Sequence, residues 1–484
     1  MKNENIFKSI QYEIRGRSIY SLVSEQLNVL LQIDLDQKRY ISMPYWHLFS
    51  LLRWTIIYSS GKIILPDSNR IHIISLLNLI NELEDLHQKE RLSEKKTWSE
   101  IFHLIANQQF EQQIPVDKYT FARQYCFYMD SGEDSLFDKL LLQILGIPIS
   151  EFIKLSLITY LYINFDQIEQ KEQNYNGRLN NDYFQVIKKL LAWNFADNYI
   201  NSLTIDLNNL EESKKRIKSL SKINNPTLQL FEPYKLSLFP IIKIKNEYRI
   251  IHRNLFNVNF RNYLYDVLKS TYKGDFTQII GKRVENYVKK GLDELRIKYL
   301  NEKEIEEKVG IKSKLIDFLL DNEVMIECKG IELPSLPSVA PTSDNISKYL
   351  KDSILKALKD QFTAVANKLC FSKKAICIII TLKELNLGFG KNTFENLISD
   401  PSDRKNFQKY LDPQRIFILP LEEWDILLNT CKVNSLKIND VLDPVIDLDS
   451  INRKKFISMH IFEKYGRNNF ELNYLNEAYK RIKL

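Results

Sequence analysis

Residues 313–333 read SKLIDFLLDNEVMIECKGIEL. Two short, strongly apolar runs, LIDFLL and VMIECKGI, are separated by Asp321, Asn322 and Glu323, so the stretch reads as a hairpin in a buried sheet. A turn centred on Asn322 sets Asp317 opposite Glu327 on one side of that sheet. Period-two alternation puts Lys329 on the same side and points Cys328 away. Opposed carboxylates repel and are costly to bury, so an otherwise apolar hairpin carrying both needs a cation. Hard oxygen ligands suit Mg2+ or Mn2+ rather than zinc. Such an ion polarises a phosphoryl oxygen and lowers the pKa of a bound water, and Lys329 is placed to orient that water or to offset charge.

The flanking segments are helical. Upstream, Phe276, Ile280, Val284, Val288 and Leu295 form an apolar stripe, with Glu285 at its edge one turn after Gly281. Downstream, Ile354, Leu358, Val365 and Leu369 mark the buried face of a helix over about 346–369, with Gln361 at its edge. Then come a strand, AICIIITL, a loop with a short helix, and RIFILPL followed by a helix. Alternating strands and helices imply an α/β domain with a mixed sheet.

Asp317, followed after nine residues by Glu327-Cys328-Lys329, resembles the PD-(D/E)XK nuclease superfamily, the restriction-endonuclease-like fold. Ile316 stands where the pattern has proline. The resemblance covers about residues 273–430. It implies a Mg2+-dependent endonuclease with catalytic residues Glu285, Asp317, Glu327, Lys329 and Gln361, of which Asp317, Glu327 and Glu285 hold the metal. DNA is the implied substrate ahead of RNA. A catalytically inactive nucleic-acid- or protein-binding module with the same fold is the alternative. Glu-x-Lys alone is uninformative: Glu212-Ser213-Lys214 and Glu306-Glu307-Lys308 match it within polar, helical stretches.

Outward from this domain the 484-residue chain reads as several units. Residues 1–225 carry apolar residues at three and four spacings, as in IYSLVSEQLNVLL and FQVIKKLLAWNFADNYI, and form a helical domain of unknown specificity. Residues 226–272 hold a hairpin, IIKIKNEYRII, and a connecting helix; 273–432 are the nuclease-like domain; 433–484 are a basic, aromatic helical extension. A large helical region before a lone nuclease domain resembles effectors of bacterial anti-phage defence. The helical half is the place left for a partner protein or a second copy of the chain.

The net charge is +7, and five of those units lie in residues 451–484, where eight basic residues meet three acids. Arg453, Lys454 and Lys455, interleaved with Phe456, Phe462, Tyr465, Phe470, Tyr474 and Tyr479, suit phosphate contact and base stacking, or equally two amphipathic helices with their aromatics packed inward. Lys282, Arg283, Lys312 and Lys314 near the site are phosphate contacts or solvated faces. The loop LPSLPSVAPTSDN after Lys329 is expected to run over the surface near the active face.

Five scattered cysteines, no signal peptide and apolar runs about half a bilayer span long predict a soluble, reduced, cytoplasmic protein. Cys370 and Cys377 lack further ligands for zinc, Gly388-Phe389-Gly390-Lys391 lacks the elements of a P-loop, and no G-x-S-x-G is present. His47, His72 and His103 sit in apolar helical stretches, where packing is the ordinary role.

Overall fold

The structure, a computed structural model, describes residues 2–35, 44–60, 64–93, 116–129, 134–169, 176–190, 193–220, 223–232, 235–272, 274–311, 315–321, 323–333, 339, 342–387, 389–446 and 456–482. The helical half comprises α1 (Lys2–Gly16), α2 (Ile19–Leu35), α3 (Tyr45–Tyr58), α4 (Arg70–Ser93), α5 (Lys118–Met129), α6 (Asp134–Leu145), α7 (Ile149–Glu169), β1 (Arg178–Leu179), α8 (Asn181–Leu190), α9 (Trp193–Ser202), β2 (Thr204–Asp206) and α10 (Leu210–Ser219). A short helix, α11 (Pro226–Gln229), starts on Asn225, whose side chain accepts from the amides of Thr227 and Leu228. The expected hairpin follows as β3 (Ile241–Ile244) and β4 (Glu247–Ile250), pairing Ile241 with Ile250. With β1 and β2 it makes a four-stranded sheet in the order β1-β4-β3-β2. Next come α12 (Arg253–Thr271) and α13 (Phe276–Glu294), the latter capped by Asp275 on the Gln278 amide.

The second sheet carries the deciding hairpin. It is ordered β5 (Tyr299–Asn301), β6 (Phe318–Leu320), β7 (Val324–Lys329), β8 (Ile376–Thr381), β9 (Ile416–Pro420), antiparallel up to β7 and parallel from β7 to β9. Around it lie α14 (Glu302–Val309), α15 (Ser343–Leu350), α16 (Thr363–Leu369), α17 (Gly390–Leu397), α18 (Pro401–Tyr410), α19 (Leu421–Asn434), α20 (Ile438–Ile446), α21 (Ile457–Tyr465) and α22 (Asn473–Ile482). Two π-helical turns, Lys351–Leu355 and Ala357–Phe362, join α15 to α16. β8 and β9 are buried at every residue, as expected of strands with a helical layer on each face. One face, with Val324, Ile326, Cys328, Ile378 and Leu419, packs on Ile280, Val284 and Val288 of α13 and Trp424 of α19. The other, with Leu319, Met325, Ile379 and Ile418, packs on Ile354, Leu358, Phe362 and Val365.

The cores do not follow the sequence divisions. α1–α4 share a core with Ile205, Phe231, Ile242, Ile251 and Leu255, so the line at 225/226 crosses packed side chains. Arg53 pairs with Glu232 at 2.9 Å, and Asp34 with Arg253 at 3.1 Å. Residues from α5 to α9 instead share the core of the mixed sheet and of α22. Val339, in the loop expected on the surface, is fully buried in the α1–α4 core.

Among the described residues no single helix is long and apolar enough to cross a membrane. The bent pair Leu136–Leu145 and Ile149–Asn164 passes by length and composition together, and contributes Phe137, Leu141, Phe152 and Ile158 to the mixed-sheet core.

Candidate active site

The hairpin pairs Phe318 with Ile326, Leu319 with Met325 and Leu320 with Val324, the register implied by a turn at 322. Asp317 sits one residue before β6, and its amide donates to the Ile326 carbonyl at 3.1 Å. Its carboxylate accepts from the Cys328 amide at 2.6 Å, in the peptide that joins Glu327 to Cys328, so the acid is fastened across the neighbouring strand. Glu327 is fully buried on the face opposite Cys328, and Lys329 donates to it from two residues along the same strand. A buried carboxylate requires such compensation.

Glu285 reaches this end of the sheet from α13, which covers the other face. Burial pushes the Cys328 thiol well up, and the charges of Asp317, Glu327 and Glu285 push the same way, with Lys329 opposing. The charges of three carboxylates and one ammonium are therefore felt at this end of β7. The Glu285 carboxylate accepts from Lys282 at 2.7 Å. Among the described residues no three His, Cys, Asp or Glu side chains stand around a common point as metal ligands. Carboxylate oxygens suit a hard divalent cation, and Asp317 with Glu327 is the part of the set that already shares a face.

Gly330 ends β7 against α13. A Cβ there would lie 2.4 Å from the Gly281 amide nitrogen, whereas one on Gly281 would come no nearer than 3.9 Å to Gly330. The obligatory glycine at this crossing is therefore Gly330, and the space ascribed to Gly281 is not what the approach depends on.

Gln361 is buried in the second π-helical turn and donates to the Leu315 carbonyl at 2.6 Å, two residues before Asp317. It fixes the approach of the strand and is a positioning residue. π-Helical turns recur at functional sites because they shift the register of one helical face.

Of the basic residues expected on phosphate, Lys282 is exposed and paired with Glu285. Arg283 is not a phosphate contact: it is buried, donates to the carbonyls of Phe127 and Tyr128 at 3.0 Å, and lies over the Phe137 ring. Lys312, Lys314, Arg453, Lys454 and Lys455 lie outside the described residues. Tyr465, Phe470, Tyr474 and Tyr479 follow the packing alternative: they pack on the mixed-sheet core, Phe470 lies tilted against Tyr119 with ring centres 4.6 Å apart, and Tyr474 donates to buried Asp425 at 2.6 Å. His47 is buried against Glu84 at 2.6 Å, and His103 lies outside the described residues.

One group was not expected. Lys383, just past the end of β8, donates to Asp266 of α12 at 2.7 Å and to Glu332 at 3.1 Å, and Lys269 pairs with Glu332 as well. Although burial opposes its charge, Glu332 is held down to about 2 by Lys383 and Lys269. The available signal was a lysine directly after an apolar strand and an acid three residues past Lys329. Comparisons with family models, with curated proteins and with solved structures return no match to this chain.

Proposed function

We propose that the chain is a metal-dependent nuclease that hydrolyses phosphodiester bonds, DNA ahead of RNA, and serves as an effector of anti-phage defence. The observation that supports this reading is the meeting of Asp317, Glu327 and Lys329 at one end of a buried hairpin, with Glu285 on the preceding helix close enough for its charge to act on Cys328. Such a surplus of buried negative charge destabilises a fold and is retained where chemistry uses it. Asp317 and Glu327 would hold Mg2+ or Mn2+, and Glu285 would join them on leaving Lys282. The bound ion supplies a water of lowered pKa and offsets charge on a phosphoryl oxygen. Lys329, paired with Glu327, would present an ammonium to an incoming phosphate. The Cys328 amide fixes Asp317, and Gln361 fixes the strand that carries it.

The test is plasmid nicking by the full-length chain with Mn2+. Glu327→Ala and Lys329→Ala are each expected to lose about 100-fold or more in rate while the circular dichroism spectrum is retained. Undiminished cleavage by both variants sinks the site assignment. The second reading, a nucleic-acid- or protein-binding module that does not cleave, is favoured by one observation: Asp317 and Glu285 are engaged by Cys328 and Lys282 rather than gathered around a common point. Binding of DNA without nicking under any divalent cation selects it.

A further inference from the structure

Past the strand that carries Glu327 and Lys329, three described residues, Gly330, Glu332 and Val339, are each held by contacts outside the sheet. Gly330 is pressed backbone to backbone on Gly281 of α13. Two residues on, Glu332 is held by Lys383 and Lys269, and Lys383 is in turn held by Asp266. Both Lys269 and Asp266 belong to α12. Lys383 also lies over the Tyr265 ring at 4.1 Å, so the cation is packed as well as paired. Val339 is then fully buried, within the core of α1–α4 rather than among the residues of the mixed sheet. The same core contains Leu255, on the first turn of α12, the helix whose far end holds Glu332.

A surface insertion would have no reason to bury a valine in a different core, nor to place an acid between two lysines at the mouth of a candidate site. Removing a buried side chain from a packed core leaves a void, so the valine holds its segment there. The α1–α4 core, which holds Val339 and Leu255, and the end of β7 are thus joined through α12, from Leu255 to Lys269 on Glu332.

We infer that Gly330, Glu332 and Val339, together with α12, couple the N-terminal helical core to the candidate site, so that the packing around Val339 sets the placement of Glu327 and Lys329. As a statement about regulation, it rests on the nuclease reading of that site; as a statement about coupling, it does not. Coupling of this kind is reciprocal: a change made at either end is felt at the other.

Hydrogen exchange on the full-length chain, read by mass spectrometry, tests the coupling without reference to activity. Val339→Ala is expected to speed exchange across 324–333 by about fivefold or more. Lys383→Met, at the other end, is expected to speed exchange in the α2–α3 region. β9, which does not pair with β7, serves as the internal reference and stays unchanged. Changes confined to each variant's own surroundings overturn the inference. Should Val339→Ala fail to fold, Glu332→Gln, which keeps the shape and removes the ion pairs, takes its place with the same two readouts. If the wild type nicks plasmid, Val339→Ala alters that rate in parallel with the exchange, and an unaltered rate overturns the regulatory part. If the wild type does not nick but the exchange is coupled, the nuclease reading falls and the coupling stands.

Discussion

Two buried carboxylates in this molecule solve the same electrostatic problem in opposite ways. Asp425, on α19, is fully buried and accepts from Arg123 at 2.5 Å, from the Tyr287 hydroxyl at 2.9 Å and from the Tyr474 hydroxyl at 2.6 Å. Its partners come from α5, α13 and α22, respectively 302, 138 and 49 residues away in the chain. One negative charge meets one positive charge, and two hydroxyls fill the remaining lone pairs. Glu327 is just as buried, but its ammonium comes from two residues along its own strand, and it shares its surroundings with Asp317 and Glu285. The first arrangement joins elements and is electrically closed. The second joins nothing that β7 had not already joined, and it carries more acid than base. Closure marks a structural ion pair; the surplus charge at the strand end has no such closure, and under the proposed function it is what a cation would offset.

The sharpest way to break that contrast is to remove each acid. Asp425→Ala strands a buried guanidinium and two hydroxyls, and it is expected to cost about 3–5 kcal/mol in urea denaturation. Glu327→Ala should cost less, because it relieves repulsion with the neighbouring Asp317. Equal losses of stability would erase the distinction between the two sites.

A second pair of substitutions sharpens the account of how the candidate site is held. Gly330→Ala forces a methyl group onto the backbone of α13 and is expected to cost about 1–3 kcal/mol. Gly281→Ala, across the same contact, meets nothing closer than 3.9 Å and should gain up to about 1 kcal/mol from helix propensity. Thermal melts of the two variants, moving in opposite directions, check this; a shared sign contradicts it.

The smallest effect concerns a third set of buried acids, neither closed nor converging on the hairpin. Burial, reinforced by the charge of Glu423, pushes Glu384 up to about 8. Burial pushes Glu423 up to about 7 against the opposing hydrogen bonds of Ser458. Both values lie above the ordinary 4.5 of the unfolded chain, so the contribution of these acids is full below about pH 4.5 and is lost as pH rises through about 7 and 8. The melting temperature should therefore fall between pH 5 and 9, and Glu423→Gln, which can still accept from Ser458, should flatten that slope. An unchanged slope in the variant assigns the pH dependence to other groups.

What was legible in the sequence was local. The hairpin register followed from a polar turn between two apolar runs, and the buried stripe of α13 followed from helical spacing at Phe276, Ile280, Val284 and Val288. The helices before residue 225, the β3–β4 hairpin and the mixed sheet were legible for the same reason: each repeats a pattern over a few residues. Val339, the Asp425 hub and the docking of α22 on α5 were not, because their partners lie far away in the chain and no periodicity records distance in space. The exclusion of Arg283 from phosphate binding belongs here too. Its position beside Lys282 looks basic and exposed, and only the fold shows it turned toward the carbonyls of α5.

The docking of α22 has a consequence for the order of events during synthesis. The hairpin bearing Asp317, Glu327 and Lys329 is translated about 150 residues before α22, and at ordinary elongation rates of 5–20 residues per second that interval is roughly ten to thirty seconds. Until α22 arrives, Asp425 lacks Tyr474, and Leu475, Ala478 and Ile482 are missing from the core that supports the mixed sheet. A nascent chain therefore carries every residue of the candidate site on an unfinished support, and a destructive activity seated there would be withheld until translation has passed it.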